Sequence, residues 1–210
     1  MTTGHDISKT RLDDLDRRII TQSLAEPFEK RVVCNFGCGE SRLSQAVASI
    51  GHKVYNYDSR DLVRYFNLQQ ELGLSVYFTQ PTLEELKPHQ LPRAIDIAVF
   101  QRVLHYLSYG DAQRVLEVVL KRVVPGGYVY LSFSSIDSEL GVGYEAKGQS
   151  ITHRWGTLTE DNQKKFNITQ PVCLYRVQEV EDMLSALQQV AVESIEVSEF
   201  GNIKAVVKKI

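Results

Sequence analysis

Apolar positions recur along the chain with two alternating periods. Over residues 11–24, Leu12, Leu15, Ile19 and Ile20 fall on one face of a predicted helix, closed by Pro27. Residues 31–36 (RVVCNF) form a short apolar run that predicts a buried strand, and a glycine turn follows at Gly37-Cys38-Gly39. Leu43, Ala46, Val47 and Ile50 then recur at helical spacing, with Gly51 as the stop. Residues 53–58 (KVYNYD) predict a second strand, Leu62, Val63 and Phe66 a further helix, residues 75–78 (SVYF) a third strand and residues 95–100 (IDIAVF) a fourth. Val115, Leu116, Val119, Leu120 and Val123 predict a helix over 111–124, ended by Pro125-Gly126-Gly127, with a fifth strand over 128–133 (YVYLSF). A last helical stripe runs through Val177, Val180, Met183, Leu184 and Leu187. Residues 192–200 and 203–210 are strand-like, joined at Gly201-Asn202, a dipeptide that tolerates the positive φ of a tight hairpin.

Strands alternating with helices predict an α/β fold: a parallel sheet covered on both faces, here ending in an antiparallel pair. Residues 134–176 interrupt the rhythm for 43 residues and hold the single tryptophan, Trp155, with Tyr144, His153, Phe166 and Tyr175. A loop of this length inside a compact domain is usually functional, and these side chains predict an ordered cap. The expected organisation is an N-terminal helical segment over 1–29 and a main domain over 30–210, with 134–176 as the capping insertion.

Composition narrows the function. A chain of 210 residues can bury about 70% of its extended surface, enough for a core without metals or disulfides. Apolar residues are 43% and charged residues 24%, which excludes a mainly disordered chain. The net charge of −2 gives no general attraction to nucleic acid or anionic membrane. No apolar run approaches the ~20 residues that span a bilayer, and residues 1–18 are polar with no signal-peptide core. Three cysteines, Cys34, Cys38 and Cys173, form an odd set without zinc-ligand spacing, so no metal is expected and a reducing, cytoplasmic setting is.

The glycine turn between strand and helix carries the most information. Glycines there let backbone and ligand approach without a Cβ between them, although a plain tight turn looks the same. Asp58, 21 residues after Gly37 at the end of the second strand, places a carboxylate where ribose hydroxyls can donate to it. A dinucleotide site wants a small residue three after the second glycine, and here it is Arg42. Glu40 would put negative charge where a pyrophosphate should meet the helix N-terminus. An acid there suits a ligand with positive charge, such as a sulfonium and an α-ammonium; it also complements the helix dipole. Nicotinamide chemistry is therefore disfavoured.

In VVCNFGCGESRLSQAVASIGHKVYNYDSR, IDIAVFQRVLHYLS and LKRVVPGGYVYLSF the chain resembles the class I S-adenosylmethionine-dependent methyltransferases. The resemblance covers residues 30–210 and is sharpest before Phe133. It implies a Rossmann-like seven-stranded sheet ordered 3-2-1-4-5-7-6, with strand seven antiparallel. It implies S-adenosylmethionine as cofactor and S-adenosylhomocysteine as product. The expected cofactor wall is Asn35, Phe36, Gly37, Cys38, Gly39, Asp58, Ser59, Thr82, Leu83 and Gln101, with Asp58 on the ribose, Thr82 and Leu83 beside adenine, and Gln101 facing the methionine moiety. Cys38 is read as packing within the turn, not as a nucleophile. Two positions depart from the family: its usual acids are replaced by Asn35 and Thr82, which accept hydrogen bonds as neutral groups.

Methyl transfer from a sulfonium is an in-line displacement that needs alignment and exclusion of water, and sometimes a base. His105 and His153 are the candidate catalytic residues. His105 stands one turn after Gln101, as a base or as a packed histidine; His153 and Trp155 either cover the acceptor or anchor the cap. Arg176 reads as an anion binder or a solvated arginine, and His5 and Arg11 as partners of the cofactor carboxylate. Residues 100–103 (FQRV) lack the Asn/Asp-Pro-Pro-Tyr of many amino methyltransferases, and no Pro-Cys pair is present, so DNA is not expected as substrate. The reading is a methyltransferase for an oxygen or nitrogen of a small-molecule acceptor. An RNA or protein methyltransferase, and a cofactor-binding protein without transferase activity, remain the alternatives.

Overall fold

The computed structural model describes residue 4, residues 12–25 and residues 30–210. His5, Arg11 and Pro27, singled out from the sequence, lie outside the described residues. Seven strands form one sheet in the order β3-β2-β1-β4-β5-β7-β6. They are β1 (Val32–Phe36), β2 (Lys53–Tyr57), β3 (Val76–Thr79), β4 (Ile95–Phe100), β5 (Val123–Ser134), β6 (Val190–Val197) and β7 (Asn202–Lys209). β1 pairs in parallel with β2 and β4, β4 with β5, and β7 runs antiparallel between β5 and β6. This is the order and the one reversed strand that the sequence resemblance implies.

The helices are α1 (Asp14–Ala25), α2 (Arg42–Ser49), α3 (Val63–Glu71), α4 (Tyr109–Leu120), α5 (Glu160–Phe166) and α6 (Val177–Ser185). Two apolar layers sandwich the sheet. On one face Leu15 and Ile19 of α1 and Leu43 and Val47 of α2 pack on Val33, Val54, Ile97 and Val99. On the other, Val115, Leu116 and Val119 of α4 and Val180, Met183 and Leu184 of α6 pack on Phe36, Phe100, Leu131 and Phe133. β1 (VVCNF) and β4 (IDIAVF) are mostly apolar because both their faces are covered, with Asn35 and Asp96 as the polar exceptions.

Several boundaries differ from the periodicity: β6 ends at Val197 and Asn202 opens β7, so residues 198–201, with Gly201 at positive φ, make the turn in place of Gly201-Asn202. α4 begins at Tyr109 because Ser108 caps it, its side chain accepting from the Asp111 amide. It ends at Leu120, so Pro125-Gly126-Gly127 does not stop the helix but forms a bulge inside β5, between the pairs Val123↔Ile95 and Tyr128↔Ile97.

Residues 134–176 are ordered. Ile136, Tyr144, Leu158, Ile168, Val172 and Leu174 form a third apolar cluster, and a bridge between Gly156 and Val172 closes the segment on itself. The anchor is Arg154, not Trp155. The guanidinium of Arg154 is fully buried and pairs bidentately with Glu179 of α6 at 2.5 and 2.7 Å, while also donating to the carbonyls of Leu174 and Gln149. Trp155 is 42% exposed.

Candidate active site

A cavity of about 840 Å³ opens at the carboxyl ends of the parallel strands, where open α/β sheets place their ligands. Its walls come from the turn after β1, the ends of β2 and β4, the Pro81–Glu84 stretch, α1, the cap and the turn between β6 and β7.

The glycine turn is hung from β2. The amides of Gly37 and Cys38 donate to the Tyr57 carbonyl at 2.7 and 3.1 Å, and that of Gly39 donates to Asp58 Oδ2 at 2.8 Å. Gly37 and Gly39 have φ of +64° and +58°. A Cβ on Gly37 would meet Val103 Cγ2 at 2.4 Å, so glycine is required there twice over. Asp58 is 8% exposed and lines the cavity. Its Oδ1 also accepts from the Arg60 amide and Nε at 3.0 and 3.1 Å, so Arg60 folds over the carboxylate that faces the ligand space.

Asn35 explains its own departure from the family pattern. Its Nδ2 donates to Ser41 Oγ and Ser44 Oγ, both at 3.0 Å, and Ser41 caps α2 by accepting from the Ser44 amide. A carboxylate offers no such donor. Ser44 in turn donates to Asn56 Oδ1 at 2.6 Å, so an amide–hydroxyl network replaces an acid at the base of the turn. Thr82 and Leu83 lie on the wall, and Glu84, two residues after Thr82, brings a carboxylate to the same wall.

Gln101 follows β4 and lines the cavity; its buried Nε2 makes no hydrogen bond of good geometry, although the side chain approaches Asp16. Arg102 follows with φ of +54°, a left-handed conformation that a non-glycine residue rarely adopts and that concentrates at functional sites. His105 is 3% exposed and lines the cavity. Burial, and then the charge of Arg102, push its pKa down to about 3, so its ring is neutral at physiological pH and its Nδ1 is unpartnered.

Of the predicted site residues, Asn35, Gly37, Cys38, Gly39, Asp58, Ser59, Thr82, Leu83, Gln101 and His105 come together on this wall. Phe36 does not. Its ring is fully buried, stacked between Tyr57 and Phe100 at 4.8 and 4.4 Å beneath the turn. His153 is not brought to the cavity either. It is exposed, with Nδ1 bonded to Ser150 and Thr152 at 2.9 and 3.1 Å, because it belongs to the short turn that leads into Arg154. Glu40 is not among the residues that line the cavity. Arg176 pairs with Glu179 at 3.1 Å. Sequence reasoning misses Asp16, Arg60, Asp137, Glu139, Glu199 and Phe200, all on the wall. Among the described residues the charged lining is then six acids, Asp16, Asp58, Glu84, Asp137, Glu139 and Glu199, against Arg60 and Arg102. Among the described residues no cluster of His, Cys, Asp and Glu could hold a metal, and no helix is long and apolar enough to cross a membrane.

Comparison with known proteins agrees with this geometry. Residues 34–131 match the family model described as a methyltransferase domain. A ubiquinone biosynthesis O-methyltransferase of Pseudomonas fluorescens is 31% identical over 130 residues, which are 61% of this chain and 52% of the relative. The chain thus spans about half the length of that relative. Among solved structures, a 1,6-didemethyltoxoflavin-N1-methyltransferase of Burkholderia thailandensis, with its substrate and S-adenosylhomocysteine bound, superposes with a TM-score of 0.67 at 16% identity, covering 97% of this chain and 81% of that one. An S-adenosylmethionine-dependent methyltransferase of Clostridium acetobutylicum superposes with a TM-score of 0.69 at 14% identity, covering 96% and 94%.

Proposed function

We propose that residues 34–131, which match the methyltransferase-domain model, form a class I S-adenosylmethionine-dependent methyltransferase domain, and that the chain moves a methyl group from S-adenosylmethionine to an oxygen or nitrogen of a small-molecule acceptor. The observation that carries the reading is the buried Asp58 carboxylate, which faces one cavity together with the positive-φ glycine turn and the Gln101 amide. The residues fit the cofactor. Asp58 would accept from the ribose hydroxyls, Gly37 and Gly39 would admit close backbone approach, Thr82 and Leu83 would flank adenine, and Gln101 would face the methionine end. The bound cofactor supplies a methyl carbon activated by a sulfonium. The chain's part is alignment and exclusion of water by α1, the cap and the β6–β7 turn. His105, held neutral, orients a partner by a hydrogen bond and does not store a proton at neutral pH.

The cavity volume lies in the range of small-molecule sites. The excess of acids among the described residues of its wall disfavours a phosphate backbone. The activity of the Pseudomonas relative, a ubiquinone biosynthesis O-methyltransferase, supports a small-molecule acceptor. Three free, buried cysteines support a reducing compartment such as the cytoplasm.

Calorimetric titration with S-adenosylmethionine, S-adenosylhomocysteine and NADH tests the reading. We expect the first two to bind in the micromolar range and NADH not to bind. Asp58→Ala should weaken binding by about 1.5–3 kcal/mol, the worth of hydrogen bonds to a charged group. Unchanged affinity in the folded variant would sink the ribose assignment.

A further inference from the structure

One carboxylate of the cavity wall is only half used. Asp13 and Asp16 cap α1 reciprocally: Asp13 Oδ1 accepts from the amides of Leu15 and Asp16 at 2.9 and 3.1 Å, and Asp16 Oδ2 accepts from the Asp13 amide at 2.9 Å. Capping occupies Oδ2 alone. Oδ1 is buried and makes no hydrogen bond of good geometry, the Gln101 side chain approaching the carboxylate without closing one, on a side chain that is 3% exposed and lines the cavity. A buried acceptor without a donor costs free energy until something enters to satisfy it. His105 Nδ1, on the same wall, is buried and unpartnered as well. Among the described residues the surrounding charge is acidic: Asp137 of the 134–176 segment and Glu199 of the β6–β7 turn line the same cavity, with Arg102 a cation beside Asp16. Asp16 titrates at about 6, so it is mostly ionised at neutral pH.

We propose that the acceptor carries a protonated amine and that Asp16 Oδ1 binds it. The proposal rests on the methyltransferase reading and names its acceptor class. An ammonium supplies the missing donor as a charge-assisted hydrogen bond, the stronger kind. Anionic acceptors are selected against, since a carboxylate or phosphate would face Asp16, Asp137 and Glu199 together. The position of Asp16 is fixed from outside the cavity. Lys204 of β7 pairs with Asp13 and Asp14 beside the cap and holds the first turn of α1 against the sheet.

The test begins with S-adenosylhomocysteine on the wild-type chain. If it does not bind, the methyltransferase reading fails and the acceptor question falls with it. With it saturating, melting temperatures are measured with matched pairs on one skeleton: phenethylamine against 3-phenylpropionate, tyramine against 3-(4-hydroxyphenyl)propionate, and butylamine against valerate, each at about 10 mM, high enough for a weak fragment. We expect the amines to raise the melting temperature and the acids not to. Asp16→Asn should weaken amine binding about tenfold or more and leave S-adenosylhomocysteine within about twofold. Equal response to both members of each pair, or no response to any amine, overturns the proposal. So does a tenfold loss of S-adenosylhomocysteine affinity in Asp16→Asn, which would give the carboxylate to the cofactor's own ammonium. The wild-type comparison decides even if the variant does not fold.

Discussion

Asp16 is held where its charge is unwelcome. Burial is the largest influence and raises its pKa from 3.8 to about 6; the Asp13 amide, Arg102 and the approach of Gln101 recover only part. A carboxylate whose folded pKa is raised contributes stability that is complete below its unfolded pKa and is lost as pH rises through the folded value. About two units correspond to roughly 3 kcal/mol. Asp16→Asn, which keeps the capping acceptor and removes the charge, should therefore stabilise the fold by about 2–3 kcal/mol at pH 8 and by almost nothing at pH 4. Urea titrations at the two pH values measure this, and an equal effect at both would mean that Asp16 is not buried as an anion. Stability given up at a charged site is the usual trade for function. The sequence shows half of this. The apolar face of α1 is readable from Leu12, Leu15, Ile19 and Ile20, but not its capping by Asp13 and Asp16. That the second oxygen faces a cavity depends on how α1 docks, which no local pattern contains. Asp58 is legible because both its position and its ligand-facing role follow from the end of one strand.

The cap shows the same division one level up. Its order is legible, since aromatic and aliphatic side chains over 134–176 could not all stay in solvent. Its anchor is not: tryptophan is the obvious candidate by type, whereas Arg154 is recognisable only once Glu179 arrives from α6, 25 residues away. The strands are readable for the opposite reason. β1 and β4 are covered on both faces, so composition alone marks them. Arg154→Met should cost about 3–5 kcal/mol, because Glu179 is left without its partner. That corresponds to a fall of roughly 6–20 °C in melting temperature for a chain of this size. Adding Glu179→Met should restore most of the loss if the pair, and not the arginine stem, is responsible. Burial by itself would raise the pKa of Glu179, but the hydrogen bonds and charges of Arg154 and Arg176 more than offset it and leave it below 4.5. Its contribution is thus present above 4.5 and lost as pH falls through the folded value, and Arg154→Met should flatten that acid limb of the stability profile.

At the scale of the molecule, the cavity is closed by segments that are far apart in sequence and meet through charge. Lys204, 7% exposed in β7, pairs with Asp13 and Asp14, and Arg18 pairs with Glu196 of β6 at 2.5 Å. These contacts fasten α1, one wall of the ligand space, to the last two strands, while Leu15 and Ile19 tie it to the apolar layer above β1 and β4. The helix therefore docks as one unit whose ionic latch can be opened without touching the core. Lys204→Met should release about 1–2 kcal/mol of local stability, the modest worth of pairs whose acids remain partly solvated. Amides of α1 should then exchange hydrogen about 5–30 times faster, while amides of β1 and β4 keep their wild-type protection. Saturating S-adenosylhomocysteine should slow α1 exchange again, because a ligand that binds only the docked form favours docking by mass action. Acceleration spread evenly over α1 and the central strands would mean that the helix opens only with the whole domain. The wall it forms would then be as permanent as the sheet beneath it.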